Sequence, residues 1–242
     1  MKNNKVAAII VNYNMPERAD ALARYIEKNV KHPCDVIMVD NGSEDLYYGE
    51  CLWSVRLGDN VQTTNGWLMG LAYADAMEQI NGEKYAAYWF LITSAEFTTG
   101  DPLTPMMEML QSDYNLVGVH PQLTEDSTTH WEHLKHPGPA WMIDNIAALY
   151  DADWFNSIGR FDARLTYAWG IDLETAYHAR TQGKRLAVCG DAEVRKVTDI
   201  GYAMDRMGMK AEERQQKATA NMNEVFTEKY GHDWRDLLYA VY

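Results

Sequence analysis

Four acidic or amide groups in this 242-residue chain fall where strands should end, and a basic pair stands later in the chain. Asn12, Tyr13 and Asn14 follow Val6–Val11. Asp40 follows Val36–Val39. Ser94 and Glu96 follow Tyr85–Ile92. Asp172 and Glu174 open an amphipathic stretch, and Arg195-Lys196 follow the last apolar run, Arg185–Cys189. Carboxylates accept hydrogen bonds, take protons and hold cations, amides read polar edges, and a basic pair suits an anion. Asn and Asp also favour caps and turns, so the joint placement says more than any single residue.

The elements that must position them can be read from periodicity. An unbroken apolar run reads as a strand buried on both faces, hence a parallel sheet. Between the first two runs Asn14 is placed to cap a helix, Pro16 suits its first turn and Glu17 takes the capping-box position. Leu22, Ile26 and Val30 recur on one face. This predicts a βαβ unit, with ligands expected at the carboxyl ends of its strands. Further along, Leu52–Leu57 reads as a short strand. A helix follows Thr63-Thr64-Asn65-Gly66, with Met69, Ala72, Ala76 and Ile80 on one face. Asp101-Pro102 starts a helix carrying Leu103, Met106, Met107 and Leu110. Leu116–Val119 is a strand, 120–139 a long loop, Ala140–Tyr150 a strand, and 210–229 a charged surface helix.

Composition narrows the class. The chain has 47% hydrophobic and 24% charged residues, as globular domains do. A net charge of −13 disfavours non-specific nucleic-acid binding. Three separated cysteines (34, 51 and 189) predict a reduced protein rather than a disulfide or zinc framework. No run reaches the roughly 18 apolar residues of a membrane span, and the start lacks a signal-peptide core. The expectation is one cytoplasmic domain. His130, His133 and His136 recur every third residue, whereas helical zinc pairs use i, i+4, so they are read as a loop.

Taken in order, the motifs resemble family 2 glycosyltransferases. Val6–Asn14 with Val36–Ser43 is similar to the nucleotide-binding start of that family, and Asn65-Gly66 to a segment lining the nucleoside pocket. Leu91-Ile-Thr-Ser-Ala-Glu96 sits where the family carries its metal-binding acidic motif. Ile158-Gly-Arg-Phe-Asp162, Trp169-Gly-Ile-Asp-Leu-Glu174, and Asn221 to Trp234 resemble its later segments. The resemblance implies a GT-A-type three-layer α/β/α fold with a mostly parallel central sheet. Residues 1–119 would bind the nucleotide sugar, and 120–242 would hold the acceptor and catalytic groups.

It further implies an inverting, hexosyltransferase-like transfer from a UDP-sugar to a hydroxyl of a glycan, lipid-linked or other acceptor. Asp172 would be the general base, kept ionised by its helix N-terminus. Asp40 would read uracil, with Asn12, Tyr13, Asn14, Asn65 and Gly66 around the nucleoside. Glu96 and Ser94 would hold Mn²⁺ or Mg²⁺. Trp141, Trp169 and Glu174 would face the acceptor. The family's second metal-binding Asp is missing, and so is a His that often follows the catalytic helix. Arg195 or Lys196 could therefore neutralise the diphosphate directly, and metal-independent action stands as the alternative. Two rivals are a non-catalytic nucleotide-sugar binder and a sugar-nucleotidyltransferase. The second fits poorly, because Asn12–Pro16 has neither glycine nor a basic residue.

Overall fold

The computed structural model describes residues 4–44, 52–127, 129, 131–197, 206 and 208–240. Cys51, His130 and most of 198–207 lie outside them. The strands are β1 (Val6–Asn12), β2 (Cys34–Asp40), β3 (Val55–Arg56), β4 (Ala87–Ile92), β5 (Ala95–Phe97), β6 (Leu116–Leu123), β7 (Gly138–Ala140), β8 (Leu149–Asp151) and β9 (Arg185–Lys196). The helices are α1 (Pro16–Asn29), α2 (Gln62–Asn81), α3 (Leu103–Ser112), α4 (Ala152–Ser157), α5 (Ile171–Thr181), α6 (Ala211–Tyr230) and α7 (Trp234–Leu238).

One sheet runs in the order β3-β2-β1-β4-β8-β6-β9-β5, and β7 pairs with β9 off this path. Its long ladders, β1–β2, β1–β4 and β6–β9, are parallel. Its antiparallel pairings are short and involve β8, β5 and β7. The sheet is therefore mostly parallel, and β8 is a reversed strand between β4 and β6.

Every residue of β1 is buried, so both faces of the sheet are covered. Chain direction explains how. β1 crosses to β2 in one direction, and β3 returns across to β4 in the other. Right-handed connections then put α1 and α2 on opposite faces and leave a crevice beside the carboxyl end of β1.

α2 lies close on its face because it carries small residues there. A Cβ on Gly70 would meet Ile9 Cγ2 at 2.3 Å, and one on Gly66 would meet Val11 Cγ1 at 2.7 Å. Trp67, Leu71 and Ala74 complete that face. The expected apolar face was the wrong one: Met69, Ala72, Ala76 and Ile80 turn outward or sit at the margin. Gly and Ala give little apolar signal, so exposed Met and Ile dominated the pattern.

Other expectations are also corrected. Asn14 is not a cap. It takes a left-handed φ of 57°, and its side chain bridges neighbouring loops. Residues 120–139 are not one loop, because β6 runs on to Leu123 and a helical turn spans Glu132–Lys135. Of Ala140–Tyr150, only Ala140 and the last two residues are in strands, and Met142, Ile143 and Ile146 are buried between them. α3 buries the four residues expected of it. Among the described residues no helix is long and apolar enough to cross a membrane.

Candidate active site

β6 and β9 run parallel to β1, so their carboxyl ends share an edge with Asn12 and Asp40. α5 feeds β9 from the opposite edge, which brings its N-terminus, and Asp172, to the shared one. β8 runs backwards, so the residues entering it, Asp144 and Asn145, arrive there too. Three groups of side chains meet at this edge.

The first is a polar knot at the ends of β1 and β2. Asn12 and Asp40 are opposite one another in register and fully buried. Asn12 Nδ2 donates to Asp40 Oδ1 at 3.3 Å and to Ser43 Oγ at 3.3 Å. The Ser43 hydroxyl also donates to Asp40 Oδ1, and Asn14 N–H donates to Ser43 Oγ at 2.8 Å. Asp40 Oδ2 has no hydrogen-bond partner among the described residues. A buried carboxylate oxygen left open is costly, and it suits a ligand donor.

The turn after Asp40 depends on Gly42, whose φ is 73°. A Cβ there would lie 2.2 Å from the Asp59 carbonyl carbon. Gly42→Ala should therefore cost about 2–4 kcal/mol, from left-handed strain and overpacking together. Urea unfolding checks this, and an unchanged midpoint would contradict the close approach.

The second group is Glu96 and Arg195. They face each other across the antiparallel β5–β9 pair, and Arg195 Nη2 donates to Glu96 Oε2 at 2.6 Å. Both side chains are 47% exposed. The last strand was expected to end at Cys189, but β9 runs on to Lys196 and takes in both Arg195 and Lys196. A strand alternates its side chains, so the two point to opposite faces.

The third group surrounds Asp172. Asp144 lies within electrostatic reach of both Lys196 and Asp172. Burial first, and then the Asp144 charge, push the Asp172 carboxyl up to about 7. The Leu173 N–H, 2.9 Å from Asp172 Oδ1, pulls the other way. The helix N-terminus was expected to keep Asp172 ionised, but here desolvation and a like charge win. Burial likewise raises Asp144, against Lys196 and two backbone N–H groups. Asn145 is 5% exposed, and among the described residues neither end of its side-chain amide makes a hydrogen bond within normal geometry. Beside it, the buried Tyr150 hydroxyl is raised by burial and then by Asp172.

An aromatic group borders this site. Trp141 packs on Trp131, His133 and Tyr239 at centroid distances of 5.5, 5.3 and 6.2 Å. The Tyr239 hydroxyl is raised by burial and then by the Asp172 charge. Arg180 fixes its geometry by donating to the carbonyls of Trp141 and Leu238.

No family model and no curated protein matches the sequence. Solved structures do. GalNAc-T7, in a crystal structure with UDP, GalNAc and Mn²⁺, superposes with a TM-score of 0.67 at 13% identity over 96% of this chain and 49% of its own. Mannosyltransferase PcManGT from Pyrobaculum calidifontis, in complex with GDP-Man and Mn²⁺, has a TM-score of 0.59 at 12% identity. That match covers 98% of this chain and 74% of the mannosyltransferase. The chain has a glycosyltransferase fold. It spans about half the length of GalNAc-T7. The likeness is one of fold, and the finer family 2 resemblance is carried by the motifs alone.

Within this glycosyltransferase fold the expected residues separate into two sets. Asn12, Asn14, Asp40, Lys196 and Asp172 come to the common edge, with Tyr13 half-buried beside Asn12, whereas Trp141 follows Ala140, which pairs with Leu186 near the start of β9. Trp169 is half-buried just before the left-handed Gly170 that begins α5. Asn65 Nδ2 donates to the Ala163 carbonyl, and neighbouring Thr64 holds Leu165, Thr166 and Ala168. This end of α2 therefore anchors the loop leading to Asp172. Gly66 is a packing residue against Val11.

Glu174 must leave the acceptor set. It is buried, and its carboxylate accepts from Lys229 Nζ and Tyr230 Oη, both at 2.7 Å. Lys229 also reaches Asp162 at 3.2 Å, so Glu174 ties α5 to α6. Asp162 is held at about 2, first by its hydrogen bonds from Arg164.

The metal expectation rested on Ser94 and Glu96. Glu96 is the carboxylate of that segment, and a guanidinium already occupies it. The Ser94 carbonyl accepts from Val197 N–H. No group of three His, Cys, Asp or Glu able to hold a metal exists among the described residues. Among the described residues Glu96 therefore offers one carboxylate, already paired with Arg195, and phosphate oxygens and waters would have to complete the shell of a divalent ion there.

Asp144, Asn145, Tyr150 and Tyr239 were missed. The available signal was Asp144-Asn145, two polar residues interrupting an otherwise apolar run.

Proposed function

We propose that this chain transfers a hexosyl group from a UDP-sugar to an acceptor hydroxyl, with inversion. The observation that carries the reading is the placement of Asp172. It is a carboxylate raised to about 7, on the same sheet edge as the open Asp40 oxygen, in a fold shared with nucleotide-sugar transferases. A base titrating near neutrality can take a proton and still be ionised enough to act.

Asp40 Oδ2 accepts the N3–H of uracil, while Asn12 and Ser43 hold the carboxylate in place. Cytosine, with a bare N3, would meet it acceptor to acceptor. Tyr13, Asn14 and Asn65 border the nucleoside. Asp172 takes the acceptor hydroxyl proton as that oxygen forms its bond to the anomeric carbon. The bond from that carbon to the diphosphate oxygen breaks, and UDP leaves with the electron pair. Trp141, Trp169 and Tyr239 offer aromatic faces to the acceptor sugar. Both neighbours hold Mn²⁺, which supports a divalent ion at the diphosphate. No step is assigned to it.

Two measurements test the reading. Incubation with a panel of UDP-sugars should release UDP slowly, and no release with any of them would remove the enzymatic assignment. UDP should raise the melting temperature more than CDP or GDP, because a ligand that binds only the folded state stabilises it. Asp40→Asn should erase that preference, and an unchanged preference would take base recognition away from Asp40.

A further inference from the structure

A metal ion on a carboxylate offers a diphosphate two things, positive charge and a fixed position for its oxygens. At the strand ends of this chain one side chain offers both. Glu96 and Arg195 are direct cross-strand partners, so their side chains leave the sheet on the same face. Arg195 Nη2 is spent on Glu96 at 2.6 Å. Nη1 makes a looser ion pair with Asp126 at 3.9 Å, without a hydrogen bond. The guanidinium has five N–H donors in a rigid fork, and half of the side chain is exposed. A cation placed on Glu96 would have to displace this guanidinium or sit beside a like charge.

We propose that Arg195, oriented by Glu96, is the cation that receives the donor's diphosphate in this chain, and that no divalent ion is required there. This rests on the nucleotide-sugar reading and goes beyond it. A guanidinium binds phosphate oxygens two at a time and keeps its charge at every working pH. β9 fixes its backbone and Glu96 fixes its head, so the fork is set before the ligand arrives. Lys196, the next residue, leaves the strand on the other face.

The test is calorimetric titration of the full chain with uridine, UDP and inorganic pyrophosphate, once in EDTA and once in excess Mn²⁺. UDP and pyrophosphate should bind with affinities that agree within about threefold between the two conditions. Arg195→Ala should weaken both ligands by about tenfold or more in both conditions, because a charge-assisted bidentate contact is lost. Arg195→Lys should fall between, since a point charge cannot bridge two oxygens. Glu96→Gln should weaken binding equally with and without Mn²⁺, whereas a metal ligand would act only in the Mn²⁺ arm. Both positions are exposed, so the unliganded melting temperatures should stay close to wild type and show that the variants fold.

UDP binding seen only with Mn²⁺, and lost in Glu96→Gln but not in Arg195→Ala, overturns the proposal. Uridine binding in EDTA with no gain from the diphosphate overturns it and leaves the nucleotide reading standing. Failure of all three ligands in both conditions overturns both.

Discussion

An Asp172→Asn variant should lose sugar transfer by about a hundredfold to ten-thousandfold, the range a positioned general base contributes. It should also fold more stably than the wild type above pH 7. Asparagine keeps the shape and cannot take the proton. The stability gain follows from the same burial that tunes the base. An unfolded Asp titrates near pH ~4, and the folded Asp172 near 7. Below the lower value both states are protonated and the group contributes nothing. As pH rises between the two, the unfolded chain ionises while the folded one holds its proton, so stability falls until the folded group ionises. The variant escapes that loss, which is on the order of a few kcal/mol at pH 8 and close to nil at pH 4.

Urea midpoints at both pH values, with UDP release measured alongside, check the pair of effects. Wild-type kcat/KM should climb with pH through about 7. Asp144→Asn should move that limb to lower pH by removing a like charge, while burial keeps part of the shift. Equal activity in Asp172→Asn, or a profile flat across neutrality, would remove Asp172 from the chemistry.

The largest stability effect should come from Phe90→Ala, about 3–5 kcal/mol. Phe90 is fully buried at the middle of a ring cluster. Phe161, Phe155, Trp67 and Tyr150 lie 4.7, 5.2, 5.8 and 6.1 Å away, centroid to centroid. These rings come from α2, β8, α4 and the segment before the Asp172 loop, so one truncation opens a cavity shared by four pieces of chain. Phe90→Leu should cost less, about 1 kcal/mol, because it keeps most of the volume. Guanidinium unfolding of the two variants decides the matter, and equal losses would mean that the site relaxes and the cluster is not tightly packed.

Legibility from sequence followed the range of the interactions. β1, α1 and β2 were readable because runs such as Val6–Val11 and the Pro16 start are local signals. So was the sheet edge that gathers Asn12, Asp40 and Asp172. α2 was read on the wrong face because Gly66 and Gly70 act through close approach, which no apolar pattern records. The pairing of Glu96 with Arg195 was not readable because the two are 99 residues apart, and only strand register joins them. Glu174 was misread for the same reason, since Lys229 and Tyr230 lie on a distant helix. Asp144 was lost inside an apolar run that looked like one strand and is mostly irregular chain.

The reversed strand β8 has a consequence for how this site can be altered. Strands running with β1 lend a site only their exits, so a change there disturbs the loop that grips the ligand. β8 lends its entrance. Asp144 and Asn145 therefore reach Asp172 on a separate piece of chain, apart from the knot around Asp40. On the proposed reading, nucleoside grip and base strength rest on separate pieces of chain, and variation in residues 141–148 should shift the Asp172 carboxyl while leaving the knot around Asp40 in place.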